Sequence, residues 1–198
     1  MIAIIYGKNK IIRIINEQYA NPEQLMSCQL SVMSDLEKGV VIYSQGYHAR
    51  EFYFLKSGLI GLYHMLENGK ESLVRVYKAN DYFGFRTFFG DNRYHCSARV
   101  LQPAELIRIT PLNFIEFWSN NSALIISLLK QLSTELQDAE HRLSMVSYQK
   151  TQERVMNSIH YLHQRYPNYH WTNREIAEFA GCETETAIRL RRELKKIS

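Results

Sequence analysis

Near the end of this 198-residue chain, Glu185 and Arg189 stand four residues apart, about one helical turn, with Thr184, Thr186 and Arg192 beside them. An Arg can fork onto the O6 and N7 of guanine and a Glu can accept from cytosine N4, so the pattern suits reading of base edges. Upstream, Thr172-Asn173-Arg174-Glu175 has the form of a capping box, in which the Thr hydroxyl and the Glu carboxylate satisfy orphan amides at a helix start. Asn173 and Arg174 at that start join Thr184, Glu185, Thr186, Arg189 and Arg192 as candidate DNA contacts. Arg191, Lys195 and Lys196 add cations that suit phosphates, which position a protein without specifying sequence. Thr186 to Ser198 carries five basic residues against one acid, so this tail alone equals the net charge of +4. Without a motif, such a run also fits a solvated helix end whose cations suit the negative C-terminal dipole.

Other chemistry finds little support. Cys28, Cys96 and Cys182 lie 68 and 86 residues apart, which argues against a zinc site, a redox dithiol or a disulfide framework and suits small buried apolar residues. No paired carboxylates, nucleophile motif or phosphate-binding Gly loop stands at a meaningful spacing, so no enzyme is expected. His48, His64 and His95 are expected to be structural or exposed, not haem ligands. Apolar runs fall short of a membrane span and the first residues lack the parts of a signal peptide, so no membrane partner and a cytoplasmic location are expected.

The elements that must hold the candidate contacts fall into three zones. From Asp35 to Ile109 strand-like runs alternate with turns: Val40–Tyr43, Glu51–Leu55 ending at Lys56-Ser57-Gly58, Leu59–Leu66, Ser72–Tyr77 and Leu106–Ile109. Asn68-Gly69 predicts a two-residue type I′ hairpin with positive φ at both positions. From Ser122 the period changes. Ile125, Leu129, Leu132, Leu136, Ala139, Leu143 and Val146 repeat at spacings of 4, 3, 4, 3, 4 and 3, the seam of a coiled coil. Leu124, Ile126 and Leu128 widen the stripe only in the first turns, which predicts a helix that starts on its own domain and then pairs with a second copy. Gln131, Glu135, Asp138 and Arg142 fall between the seam positions. Thr151–Gln164 predicts another helix, broken at Tyr166-Pro167-Asn168. Two further helices flank Gly181, the second inward through Ala187, Leu190, Leu194 and Ile197. A tight turn at Gly181, with small Ala177 four residues earlier where two helices cross, predicts a helix-turn-helix. The expected domains are 1–120, 121–148 and 149–198.

This order of parts resembles the cyclic-AMP receptor protein/FNR (CRP/FNR) family of bacterial transcription regulators. The likeness rests on Gly46, Gly58, Gly69 and Gly84 at roll turns, on Asp81-Tyr82-Phe83-Gly84, and on the segment from Gly181 to Arg189. It implies an α+β fold: an N-terminal antiparallel β-roll of the cupin-like jelly-roll type, a long dimerisation helix and a C-terminal helix-turn-helix. Glu185 and Arg189 match the pair that reads the major groove, whereas Thr184 replaces an Arg common in the cyclic-AMP branch. The family's effector pocket falls on Gly84, Phe85, Arg86, Cys96 and Ser97. Phe85 stands where a Glu holds the ribose and Cys96 where an Arg neutralises the cyclic phosphate, so cyclic AMP is not expected to bind. Arg86, Arg93 and Arg99 are the nearby cations that could replace that charge. The long helix's adenine-facing pair falls on Ala139-Glu140. An iron–sulfur cluster needs four Cys and is not expected. The resemblance leads us to expect that the family's β-hairpin wing is lacking after Ile197-Ser198 and that Trp171 and Phe179 cover the exposed side, which predicts weaker DNA binding. The expectation is a homodimeric, sequence-specific regulator that binds double-stranded DNA and meets RNA polymerase, with no effector assigned. The alternative is a dimeric sensor or interaction protein of this fold that has lost autonomous DNA binding.

Overall fold

Six runs rich in β-branched and aromatic residues pair into one sheet, and the helix-period segments follow it in the chain. The computed structural model describes residues 21–194. After a 3-10 turn at Pro22–Gln24 come strands β1 (Cys28–Leu36), β2 (Val41–Tyr43), β3 (Phe52–Met65), β4 (Glu71–Lys78), β5 (Tyr82–Phe83) and β6 (Ser97–Pro111). A second 3-10 turn spans Phe85–Phe89, between β5 and β6. Helices α1 (Phe114–Asn120), α2 (Ser122–Tyr148), α3 (Thr151–Arg165), α4 (Asn173–Ala180) and α5 (Thr184–Leu194) complete the described chain. Every strand pair is antiparallel, in the order β1-β6-β3-β4, with β2 on β6 and β5 on β3. The α+β class expected from sequence is the one observed. Lys195, Lys196, Ile197 and the side chain of Leu194 lie outside the described residues, as do residues 1–20.

Three apolar clusters hold the elements together. One lies inside the roll, around Tyr53, Leu55, Ile60, Leu62, Phe83 and Leu106. A second joins Phe52, Tyr82 and Phe85 to Phe117 and Trp118 of α1 and to Leu124 and Leu128 of α2. A third is shared between the sheet and the C-terminal helices: Leu59, Tyr63, Leu73, Val76 and Leu101 pack with Val155, Leu162, Trp171, Ile176 and Phe179. The helix-turn-helix therefore does not stand off from the roll. Trp171 and Phe179 do not form a lid of their own, because the sheet supplies the cover. β4 is an edge strand whose carbonyls would otherwise lack partners. Tyr166 donates its hydroxyl to Val76 O at 2.7 Å, and Arg142 reaches Val74 O and Leu73 O, the latter at 3.4 Å.

Several local expectations are corrected. Lys56-Ser57-Gly58 does not end a strand. β3 runs through it with register shifts opposite β6, a bulge in which Gly58 adopts φ +91° and a Cβ would meet Pro103 O at 2.3 Å. At the β3–β4 hairpin only Gly69 has positive φ, and Asn68 instead accepts from Lys70 N at 3.1 Å through its side chain. Gly69 N donates to Leu66 O at 2.9 Å, the pattern of a turn followed by a left-handed residue, not type I′. Strand pairing also begins earlier than expected, at Cys28, and α1 is an added helix.

Candidate nucleic-acid interface and sensor cavity

The segment around Gly181 folds as its local chemistry dictates. Thr172 Oγ1 accepts from Glu175 N at 3.1 Å and Glu175 Oε2 accepts from Thr172 N at 2.9 Å, closing the capping box at the start of α4. Gly181 ends α4 at φ 67°, ψ 48°, the left-handed conformation that a residue with a Cβ adopts at a cost. Arg154 of α3 donates to Ala180 O at 3.3 Å and Gly181 O at 3.4 Å, satisfying carbonyls at that helix end. Ile176, Ala177, Ala180, Ala187 and Leu190 are buried where α4 and α5 meet. This leaves the opposite face of α5 outward: Glu185, Arg189 and Arg192 are exposed, and Thr184 and Thr186 half-exposed. Glu185, Arg189 and Arg192 make no side-chain hydrogen bond or ion pair among the described residues.

The flank of this surface is engaged. Asn173 Oδ1 accepts from Arg191 Nη1 at 2.6 Å. Arg174 is held by Glu178 Oε1 at 2.7 Å and lies 3.7 Å from Glu71 of β4, which Arg99 also grips with both guanidinium nitrogens. Lys70 at the β3–β4 hairpin pairs with Glu183 just before α5. Glu175 receives Tyr169 Oη at 2.7 Å and Lys38 Nζ at 3.1 Å. Burial pushes its carboxyl up, but these bonds and the Thr172 amide outweigh it and hold Glu175 below the ordinary carboxylate value. Glu178 moves the other way, raised chiefly by burial.

α2 shows two stripes. On one, Leu129, Leu136, Leu143 and Val146 are each more than half exposed, Ala139 is exposed, and Ile125 and Leu132 are half-buried. On the other, Leu124, Leu128, Gln131 and Glu135 are buried against the roll, with Arg142 continuing the line. Gln131 exchanges hydrogen bonds with the backbone of Tyr82, 2.6 Å to its carbonyl and 3.3 Å from its amide. Glu135 pairs with Arg75 at 2.5 Å. The helix thus stays on its own domain along most of its length, through polar partners that its apolar pattern did not reveal.

Inside the roll the predicted effector residues divide. Gly84, Arg86 and Cys96 line a cavity of about 30 Å³, and Arg86 and Cys96 also line a cleft of about 560 Å³ between the roll and α2. Tyr43 and Tyr94 stack there with ring centroids 3.8 Å apart, and Tyr53 and Phe83 continue the stack at 5.2 Å. Phe85 points away into the cluster with Phe52 and Phe117, because its side chain is apolar and that cluster is dry. Ser97 Oγ is taken up by Gln45 N at 3.0 Å. Burial raises the Cys96 thiol, which lies 3.8 Å from His64 Nδ1. Cys28, Cys96 and Cys182 are free and only partly buried. Among the replacement cations, Arg99 is bound to Glu71, Arg93 donates to Gly46 O at 2.8 Å, and Arg86 makes no hydrogen bond among the described residues.

Residues 33–121 match the cyclic nucleotide-binding domain family. An uncharacterized protein of Haemophilus influenzae is 54% identical over 118 residues, 60% of this chain and 92% of its own. An anaerobic regulatory protein of Bacillus subtilis is 25% identical over 177 residues, 84% of this chain and 74% of that protein. The chain belongs to the CRP/FNR family. A CRP/FNR transcriptional regulator of Thermus thermophilus has the same fold, with a TM-score of 0.70 at 22% identity over 86% of this chain and 87% of that one. Within the CRP/FNR architecture, the features missed from sequence are the aromatic filling of the roll and the seating of α4 on β4. The first had a weak signal in the 13 Tyr and 9 Phe of the chain. No helix among the described residues is long and apolar enough to cross a membrane.

Proposed function

We propose that this CRP/FNR protein is a homodimeric, sequence-specific DNA-binding regulator of transcription, acting in the cytoplasm alongside RNA polymerase. The observation that carries this reading is the outward face of α5, where Glu185, Arg189 and Arg192 are exposed without side-chain partners among the described residues while Ala187 and Leu190 anchor the other face. The exposed seam from Ile125 to Val146 supports pairing of two copies along α2, which would present two α5 helices to successive major grooves. Glu185 and Arg189 read bases, Thr184 and Thr186 adjust the fit, and Arg192 meets phosphate. Cyclic AMP is not the effector in this reading. Phe85 is buried in the apolar cluster with Phe52 and Phe117 and offers no hydrogen bond to a ribose, and Cys96 carries no charge for a cyclic phosphate. Band shifts against DNA upstream of the protein's own gene test the proposal. Arg189→Ala is expected to cost about 1–3 kcal/mol and to relax sequence preference, whereas Arg192→Ala weakens all sequences alike. Absence of any salt-sensitive, sequence-preferring shift would overturn it.

A second reading, a sensor or interaction protein that does not bind DNA by itself, is favoured by one observation. Asn173 and Arg174 are already engaged, by Arg191 and by Glu178. Under that reading Glu185→Ala and Arg189→Ala leave promoter occupancy unchanged.

A further inference from the structure

Arg154 stands in the first turn of α3, at the positive end of that helix's dipole, where acids are preferred and a cation costs stability. Its partners across the fold account for it. The half-buried guanidinium donates to three carbonyls, one from each nitrogen. Nη1 reaches Gln149 O at 3.2 Å, Nε reaches Ala180 O at 3.3 Å and Nη2 reaches Gly181 O at 3.4 Å. Gln149 caps the C-terminus of α2, and Ala180 and Gly181 close that of α4. Two helix C-termini, each carrying a partial negative charge and carbonyls without intrahelical partners, therefore converge on one cation.

Neighbouring bonds stiffen this joint on both sides. Asn157, the next turn along α3, donates to the side chain of Gln149 at 3.0 Å. Beyond Gly181, the carbonyl of Glu183 accepts from Thr186 N at 3.0 Å and Ala187 N at 3.2 Å, so the place of the turn decides where α5 starts. Arg142 reaches the carbonyl of Phe179 from the flank of α2, but Arg154 is the side chain that holds the turn itself. One end of this joint belongs to the helix with the exposed apolar seam, and the other opens the helix that carries Glu185 and Arg189.

We propose that Arg154 is a positioning residue that sets how far α5 stands from the α2 seam, and thereby the spacing of the two DNA half-sites the protein accepts. Its donors are used inside the protein, so it reads neither base nor phosphate. The proposal rests on the DNA-binding reading and on pairing along α2, and it names the residue that fixes the geometry between them. Lys at this position keeps the charge but loses the planar fork that serves three carbonyls at once.

The probes are symmetric duplexes that the wild-type full chain selects from a randomised pool, with one base pair then added or removed between the half-sites. That change moves a half-site by about 3.4 Å along the duplex and about 35° around it. In band shifts the wild type is expected to lose about tenfold in affinity, and Arg154→Gln about threefold or less, with base preference inside each half-site retained. Arg189→Ala is expected to do the reverse, losing base preference and keeping the spacing penalty. Arg154→Lys falls between wild type and Arg154→Gln, and decides the matter if Arg154→Gln does not fold. A merely structural role weakens all duplexes alike, so an unchanged spacing penalty in both Arg154 variants overturns the proposal. Hydrogen exchange without DNA keeps this failure apart from failure of the DNA-binding reading. Arg154→Gln is expected to speed exchange from Cys182 to Ala187 while β6 stays as in the wild type. If the wild type selects no duplex, the DNA-binding reading and the spacing role fall together, and faster exchange still leaves Arg154 as the residue that places α5. Unchanged exchange at the turn overturns that placement as well.

Discussion

The guanidinium of Arg142 lies 4.2 Å from the ring centroid of Phe179 and donates to that residue's carbonyl at 2.9 Å, joining the long helix to the first helix of the helix-turn-helix. The same guanidinium reaches the carbonyls of Val74 and Leu73 on the edge strand. One side chain thus ties three units together, and burial lowers its pKa from the ordinary Arg value. Arg142→Ala leaves three carbonyls without that donor and removes the cation from the ring. We expect a loss of about 2–4 kcal/mol in denaturant unfolding, with faster hydrogen exchange in α4 than in β6. Equal exchange in both would contradict the joint.

Glu71 tests the flank of the interface. Its carboxylate is forked by Arg99 at 2.7 and 3.1 Å and lies 3.7 Å from Arg174. Glu71→Gln is expected to loosen α4 from β4, at a cost of about 1–3 kcal/mol, and to remove a negative charge from the flank of the interface while Arg174 stays on Glu178. The measured sign is a rise in DNA affinity with a steeper salt dependence. A fall would mean that the docked arrangement is the one that binds.

Leu136 is 59% exposed on the α2 seam, so its replacement leaves the protomer core intact. Leu136→Glu is expected to give monomers in sedimentation velocity, with an unchanged far-ultraviolet spectrum and weaker DNA binding. A wild-type monomer would remove the basis for paired α5 helices.

Asp81 sets a pH signature. Burial raises its carboxyl to about 6, above the 3.8 of an unfolded Asp, despite the hydrogen bond from Lys78 N. Between these values the folded chain binds more protons than the unfolded one, so this group's contribution to stability falls as pH rises towards 6. Asp81→Asn should therefore stabilise the protein relative to wild type at about pH 7.5 and lose that advantage below about pH 4. Parallel melting curves across that window would refute the shift.

Two glycines with positive φ separate crowding from backbone strain. At Gly58 a Cβ would lie 2.3 Å from Pro103 O, whereas at Gly69 nothing lies within 4 Å. Gly69→Ala is expected to cost about 1–2 kcal/mol from the left-handed backbone alone. Gly58→Ala should cost about 3 kcal/mol or more, because the bulge must open as well. Thermal unfolding of the two variants under one buffer gives the comparison.

What depended on neighbours in the chain was legible from residues alone. The Thr172–Glu175 box, the left-handed Gly181 and the 4, 3 repeat from Ile125 are short-range devices, since hydrogen bonds and side-chain faces within a few residues create them. The order of strands, long helix and helix pair followed from the change of apolar period, and the roll from the family resemblance. Tertiary structure decided the rest. Gln131, Glu135 and Arg142 look like solvated positions until Tyr82, Arg75 and the carbonyls of β4 supply their partners from distant parts of the chain. Tyr43 and Tyr94 close the roll only because β2 and the loop before β6 bring their rings to 3.8 Å. Gly58 reads as a turn in isolation and becomes a bulge once Pro103 lies across from it. A polar or turn-forming residue is neutral about its surroundings until a partner desolvates it, and that partner is chosen by the folded chain.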